Sequence, residues 1–199
     1  MSYKIGILGG TFNPVHFGHI NLAKVALKEC NLSKIIFLPN GNPPHKDNTK
    51  ILNASDRYRM LELAIKDIPC MDISDYEIKK DKPSYTIDTY RYFKTIYDAE
   101  LYFIIGADSL YTINTWKSYE ELLKICKFIV LDRTSPYGNN LRERCDIINK
   151  SGGNVYMLNS PTFEVTSSDI RNMIKNNKDV STYLPKEVIN YIKEHKLYI

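Results

Sequence analysis

The 199-residue chain is predicted to fold as a doubly wound α/β domain, with a mostly parallel sheet covered by helices on both faces. Three observations predict this class. Short apolar runs alternate with segments of about ten residues that have helical periodicity. The apolar runs are continuous, as expected of strands buried on both faces. No repeat, low-complexity tract or linker interrupts this order, so residues 1–199 are expected to form one domain.

The strands are predicted where a short apolar run ends at glycine, proline or a polar segment. LYFIIG is the strongest run, and YKIGIL at the start of the chain ends directly in Gly9 and Gly10. The predicted strands are 3–8, 35–39, 70–78 (the weakest), 101–106, 128–132 and 155–158.

The helices are predicted from apolar residues at helical spacing, such as Ile20 and Leu27, and from signals at their ends. Asn53 or Ser55 is the expected N-cap of the second helix, and Pro185 fits the first turn of the last. The predicted helices are about 19–30, 55–67, 84–97 (from Thr86 onward), 118–126, 139–150, 167–177 and 185–195.

The composition excludes several classes of protein. No segment approaches the ~20 apolar residues of a membrane span, and no secretion signal opens the chain, so a cytoplasmic protein without a membrane partner is expected. The net charge of +4 is spread over helix-like segments, which argues against a nucleic-acid partner. The four cysteines lie singly, without metal-site spacing, and are expected to be buried, reduced thiols.

The segment GGTFNPVHFGH, residues 9–19, lies directly after the first strand and directly before the first helix. Its two glycines are expected to let the backbone turn tightly and approach a ligand closely. The following helix is expected to present free N–H groups to an anion. His16 and His19 lie three residues apart, so both rings can face one bound anion. This arrangement predicts a phosphate site.

Neither common phosphate loop is present, because the chain has no GxxxxGK[ST] and no GxGxxG, so P-loop hydrolysis and dinucleotide redox chemistry lose their signatures. A second phosphate-binding segment begins a late helix. There, Ser167 and Ser168 can offer hydroxyl and N–H groups, and Arg171 adds a planar cation. The loop after the second strand carries His45 and Lys46, stiffened by two prolines and placed at the same edge of the sheet.

These segments resemble the HxGH nucleotidylyltransferase superfamily. HFGH at 16–19 carries its signature, and VTSSDIR at 165–171 is similar to its C-terminal ISSTxxR pattern, with Asp169 where Thr is more usual. Asn13 stands where many relatives carry Asp. The resemblance covers essentially the whole chain and implies a Rossmann-like nucleotidylyltransferase fold. It narrows to bacterial nicotinate-nucleotide adenylyltransferases through PNGNPPHK (39–46), SYTIDT (84–89) and IGADSL (105–110) followed by Trp116 and Lys117.

The resemblance implies three groups of site residues. Trp116, the only tryptophan, would stack on the nicotinate ring, and the backbone at Thr86 would recognise the nicotinate carboxylate. The implied catalytic residues are His16, His19, Lys46 and Arg171. The implied ATP-binding residues are Gly9, Gly10, Thr11, Phe12, Gly18, Gly106, Asp108, Arg133, Ser167 and Ser168. The implied residues for nicotinate mononucleotide are His45, Tyr85, Thr86 and Trp116.

The implied reaction joins ATP to nicotinate mononucleotide, giving nicotinate adenine dinucleotide and pyrophosphate in NAD biosynthesis. The attacking phosphate monoester has a second pKa of about 6, so it is already largely a dianion and needs no general base. Direct in-line attack without a covalent intermediate is therefore expected. Mg²⁺ is expected to arrive with ATP instead of in a protein metal site. The partners are the two substrates, and a homo-oligomer is left open.

Three alternatives remain at this point. Another transferase of the superfamily could use phosphopantetheine or nicotinamide mononucleotide as acceptor, although phosphopantetheine enzymes are usually shorter and lack SYTIDT and Trp116. A class I aminoacyl-tRNA synthetase would need a tRNA-binding domain and a KMSKS loop, and 199 residues hold neither. A non-catalytic nucleotide-binding module would not need His16, His19, Lys46 and Arg171 together. Turnover with pyrophosphate release separates an enzyme from such a module.

Overall fold

A computed structural model of the chain describes residues 3–41, 51–80, 83–132, 140–159 and 165–199. The strands are β1 (Lys4–Gly10), β2 (Lys34–Pro39), β3 (Met71–Ile73), β4 (Glu100–Gly106), β5 (Lys127–Asp132) and β6 (Asn154–Asn159). The helices are α1 (Phe17–Glu29), α2 (Ala54–Ile65), α3 (Thr86–Ile96), α4 (Ala107–Tyr111), α5 (Tyr119–Ile125), α6 (Asn140–Lys150), α7 (Ser167–Lys175) and α8 (Lys186–Glu194), and a 3-10 turn spans Ile113–Thr115.

The six strands form one sheet in the order β3-β2-β1-β4-β5-β6, and every neighbouring pair is parallel. This confirms the predicted α/β class. The chain winds outward from β1 to β3 and then crosses to β4, so the direction of winding reverses between β1 and β4. In sheets of this kind, ligands bind in the crevice beyond the carboxyl ends of the two strands at the reversal.

Each central strand is buried on both faces because its alternate residues enter two separate cores. Ile35 and Phe37 of β2 pack into one core with residues of α1, α2, α7 and α8. Ile36 and Leu38 pack into the other core with residues of α3, α4, α5 and α6. This two-sided burial is why the strands show continuous apolar runs instead of alternation.

The structure differs from the sequence prediction in two segments. The weak strand candidate at 70–78 is limited to Met71–Ile73. The Oγ of Ser74 accepts the Tyr76 N–H at 3.3 Å, a local contact that competes with the sheet ladder. Residues 107–115 carried no predicted element, yet they form α4 and the 3-10 turn. These segments are too short to show helical periodicity, although Leu110 and Ile113 are buried.

The predicted N-cap of the second helix is confirmed. Asn53 caps α2, and its side chain accepts the Asp56 N–H at 2.8 Å.

All four cysteines are free thiols, but only Cys126 and Cys145 are buried, whereas Cys70 is exposed. The expectation of four buried thiols was therefore wrong for Cys70, and Cys30 is only partly buried. Along the described residues, no helix combines the length and the apolar character that crossing a membrane requires.

Candidate active site

The loop between β1 and α1 lies at the reversal point of the sheet, but its two glycines do not make its turn. Gly9 and Gly10 belong to β1, and neither has a positive φ. The left-handed residue of the turn is Phe12, with φ 49°. The predicted glycine turn was therefore wrong. A Cβ at Gly9 would meet no atom within 4 Å, whereas one at Gly10 would lie 2.9 Å from the Phe12 ring.

The two histidines of the loop form a fixed pair at the start of α1. Their ring centroids are 3.8 Å apart. His16 is the N-cap, and its Nδ1 accepts the Gly18 N–H at 3.1 Å. The Nδ1 of His19 accepts the His16 N–H at 3.3 Å. When Nδ1 of a neutral imidazole accepts a hydrogen bond, the ring proton lies on Nε2.

The first turn of α1 does not present free N–H groups, so that prediction was wrong. The Phe17 N–H donates to the carbonyl oxygen of Tyr183 at 2.9 Å, and the Gly18 N–H donates to His16. The His19 N–H donates to the carbonyl oxygen of His16 at 2.9 Å. These three backbone N–H groups are therefore taken by acceptors of the protein itself.

Phe12 packs against the His19 ring of the histidine pair. Its side chain is buried, and its ring packs edge-on against the His19 ring with centroids 5.0 Å apart. It also packs against Phe37 of β2. A contact between Phe12 and ATP would therefore use the Phe12 backbone. Thr11 is partly exposed, and Gly18 is buried within the helix start.

Helix α7 brings the late motif into contact with the β1–α1 loop. The Ser167 Oγ donates to the Pro14 carbonyl oxygen at 3.0 Å. Arg171 donates from Nη1 to the Asn13 carbonyl oxygen at 2.8 Å and from Nη2 to the Ser168 Oγ at 3.0 Å. Residues more than 150 positions apart in the sequence thus meet at one site.

Asp169, the unusual residue of the late motif, completes a capping box. The Thr166 Oγ1 accepts the Asp169 N–H, and the Asp169 carboxylate accepts the Thr166 N–H at 2.9 Å. Hydrogen bonds from the Thr166 side chain and backbone lower the pKa of Asp169. This arrangement fixes the start of α7, the end of a helix that favours anions, and so fixes Ser167 and Ser168 there.

Arg57 of α2 contacts the β1–α1 loop, although the sequence did not predict it as a site residue. It is 1% exposed and donates to four backbone carbonyl oxygens. Burial lowers the pKa of its guanidinium. The sequence did carry a signal, because Arg57 occupies the buried stripe of α2 with Met60, Leu61 and Ala64. A charged residue at a core position indicates a structural or functional need.

Two of the proposed acceptor residues form the start of α3. Tyr85 is its N-cap and Thr86 its first residue, and no side chain in the described ranges caps this end. Lys117 pairs with Asp88 at 2.9 Å and lies 4.7 Å above the Tyr85 ring. Trp116 is partly buried and packs against the core on this face of the sheet. Part of its ring is therefore structural, which leaves only the remainder for stacking on a base.

The remaining predicted residues lie at the carboxyl end of β4 or outside the described residues. Gly106 is the N-cap of α4, and a Cβ there would meet no atom within 4 Å. Asp108 lies exposed in the first turn of α4. His45, Lys46 and Arg133 fall outside the described residues. Within the described ranges, no three His, Cys, Asp or Glu side chains come close enough together to hold a metal ion.

The fold and the site define a nucleotidyltransferase of the cytidylyltransferase-like class, whose family model matches residues 7–173. The chain is 41% identical over 198 residues to the "Probable nicotinate-nucleotide adenylyltransferase" of Thermoanaerobacter sp. (strain X514), covering 98% of this chain and 94% of that relative. The Clostridium botulinum (strain Eklund 17B / Type B) protein of the same description is 41% identical over 98% of both chains. The chain therefore belongs to the nicotinate-nucleotide adenylyltransferase family.

A solved structure supports the fold independently. Plasmodium falciparum nicotinic acid mononucleotide adenylyltransferase complexed with NaAD superposes with a TM-score of 0.81, covering 98% of this chain and 97% of that chain. The two sequences are only 20% identical, so this likeness concerns the fold.

Proposed function

We propose that the protein transfers the adenylyl group of ATP to nicotinate mononucleotide by direct in-line displacement. An oxygen of the mononucleotide phosphate attacks the α-phosphorus, and a new P–O bond forms. The bond from the α-phosphorus to the oxygen that bridges it to the β-phosphorus breaks, and pyrophosphate leaves with that electron pair. The proposal rests on one observation. The β1–α1 segment that carries the His16–His19 pair also binds the Arg171 guanidinium, through the Asn13 carbonyl oxygen.

The histidines would act as hydrogen-bond donors and not as bases. The attacking phosphate has a second pKa of about 6 and is already mostly a dianion near neutral pH. The barrier comes from bringing two anions together and spreading charge in the transition state. Each ring is held by a backbone N–H that donates to its Nδ1, and donors held in place suit that task because no reorganisation is required.

The remaining cationic and hydroxyl side chains would each contact a different part of the ATP polyphosphate. Arg171 is fixed by two protein contacts and would lie beside the phosphates of ATP, with Ser167 and Ser168 at the pyrophosphate end. Lys46 would reach the same phosphates, as a prediction from the sequence. Mg²⁺ would enter as part of the ATP substrate, because magnesium commonly binds through substrate phosphates.

The start of α3 would receive the acceptor. An uncapped helix N-terminus attracts an anion through its N–H groups and its dipole, which suits the nicotinate carboxylate at Thr86. Tyr85 and Trp116 offer aromatic surface beside it, and Gly106 and Asp108 would contact ribose across the crevice. The roles of His45 and Arg133, the assembly state and a cytoplasmic location stay predictions.

The direct test is pyrophosphate release with Mg·ATP and three acceptors measured side by side: nicotinate mononucleotide, nicotinamide mononucleotide and phosphopantetheine. We expect the highest kcat/KM for nicotinate mononucleotide. A higher value for another acceptor would preserve the transfer chemistry and refute the acceptor assignment. No turnover with any of the three would favour a nucleotide-binding module.

The displacement mechanism has its own test, which uses ATP made chiral at the α-phosphorus with sulfur. A single in-line attack inverts the configuration at phosphorus, whereas a covalent adenylyl-enzyme would retain it through two inversions. Exchange of labelled pyrophosphate into ATP should also require the dinucleotide product. Retention, or exchange with the enzyme and ATP alone, would refute direct attack.

A further inference from the structure

The residues that follow α8 turn back toward the β1–α1 loop. The Leu197 N–H donates to the Ile192 carbonyl oxygen at 2.9 Å and closes the end of the helix. Lys196 and Tyr198 then adopt left-handed backbone angles, with φ 50° and 66°. Left-handed backbone is costly for residues other than glycine and persists only where surrounding contacts hold it. One contact beyond this turn is made by the Tyr198 side chain.

Tyr198 reaches the same asparagine that holds Arg171. Its hydroxyl donates to the Asn13 Oδ1 at 2.9 Å, across 185 positions of sequence. The Leu52 N–H donates to the same oxygen at 3.3 Å, and Arg171 donates to the Asn13 carbonyl oxygen at 2.8 Å. Asn13 is 4% exposed. One buried asparagine therefore connects the residues after α8, the approach to α2 and the arginine of α7.

We propose that Tyr198 is a positioning residue for adenylyl transfer: its hydroxyl fixes the Asn13 side chain, and Asn13 in turn holds Arg171 at the β1–α1 loop through its carbonyl oxygen. This inference rests on the proposed function. Tyr198 itself is partly buried, and its hydroxyl acts on the site through Asn13. Burial raises its pKa, so the hydroxyl stays protonated and remains a donor throughout the neutral range.

Removing the hydroxyl should affect the rate more than the fold. A phenylalanine keeps the ring and its packing, and the Asn13 Oδ1 keeps the Leu52 N–H as a donor, so no buried polar atom loses its last partner. The lost contact instead frees the asparagine to tilt, and small displacements of a group that binds the reacting phosphates lower kcat.

The test is Tyr198→Phe, with Tyr191→Phe as the matched control. Tyr191 donates from its hydroxyl to the Asp56 Oδ1 at 2.8 Å, so the control also removes one hydroxyl contact, but between α8 and α2. We expect Tyr198→Phe to lower kcat about tenfold, with the KM for ATP changed less than about twofold. Tyr191→Phe should keep the wild-type kcat, and the two variants should have similar melting temperatures.

A double-mutant cycle separates positioning from general stability. If Tyr198 acts through Asn13, Tyr198→Phe should reduce kcat less than about twofold when Asn13→Ala is already present. Wild-type kcat in Tyr198→Phe, or a full further loss in the Asn13→Ala background, would overturn the inference while leaving the proposed function intact. Absence of turnover by the wild-type protein with all three acceptors would overturn both.

Discussion

Replacing Arg57 by methionine should destabilise the fold far more than most substitutions on a helix. The guanidinium donates to the carbonyl oxygens of Leu52 (3.0 Å), Thr11 (2.8 Å), Asn40 (2.7 Å) and Gly41 (3.1 Å). Methionine fills similar space but leaves these acceptors without that donor. At about 1 kcal/mol for each carbonyl, the loss in free energy of unfolding is about 4 kcal/mol.

The assay is urea unfolding of Arg57→Met beside Arg59→Met, two positions further along α2. Arg59 is exposed and pairs with Glu62 at the surface, so its loss should cost less than about 0.5 kcal/mol. For a chain of this size, about 4 kcal/mol corresponds to a fall in melting temperature of about 8–16 °C. If Arg57→Met unfolds within about 1 kcal/mol of Arg59→Met, the carbonyl contacts do not carry the energy assigned to them.

Three further predictions concern the site and its surroundings. His19→Ala should lower kcat about 10²-fold, as for the loss of one transition-state donor, and a variant with full rate would contradict the assigned role. Gly9→Ala should keep the melting temperature but raise the KM for ATP, because a Cβ there meets no protein atom. Gly41→Ala should lower the melting temperature, because its Cβ would clash with the Glu77 carbonyl oxygen. A thermal melt in which Gly9→Ala is the less stable of the two variants would refute this. Burial raises the pKa of Glu77, so its ionisation costs stability as pH rises past the ordinary glutamate value of 4.5. Glu77→Gln should therefore be more stable than wild type at neutral pH, since its amide oxygen can still accept from Thr89. The difference should vanish below about pH 4. A difference in urea unfolding that does not depend on pH would contradict this prediction.

The sheet could be predicted because its signal is local. Each central strand is buried on both faces, so the apolar run alone marks its position, as with residues 101–106 against the observed Glu100–Gly106. The parallel order then places the carboxyl ends of β1 and β4 at one crevice. Short elements such as α4 escaped prediction because five residues cannot show a period of 3.6.

The site was predicted through its motifs, but the distribution of its hydrogen bonds could not be. The Phe17 N–H is taken by Tyr183, and no local pattern around residue 17 indicates a partner so far along the chain. The same holds for Tyr198 and Asn13. Arg57 differs, because its place in an apolar stripe was visible in the sequence. Tertiary contacts therefore decide which polar groups remain available to a ligand, and local patterns decide only where those groups lie.

The contacts between residues 13–14 and α7, and between Asn13 and Tyr198, also link catalysis to the order of folding. Closing a loop of 185 residues instead of about a dozen costs only about 2 kcal/mol more, so the arrangement is thermodynamically cheap. Contacts between such distant segments nevertheless form slowly compared with neighbouring ones. On refolding from urea, activity should return with the last phase, after the sheet has formed. A chain in which α7 and the residues after α8 have not yet docked would have the sheet but not the proposed phosphate site, so we expect it not to turn over ATP.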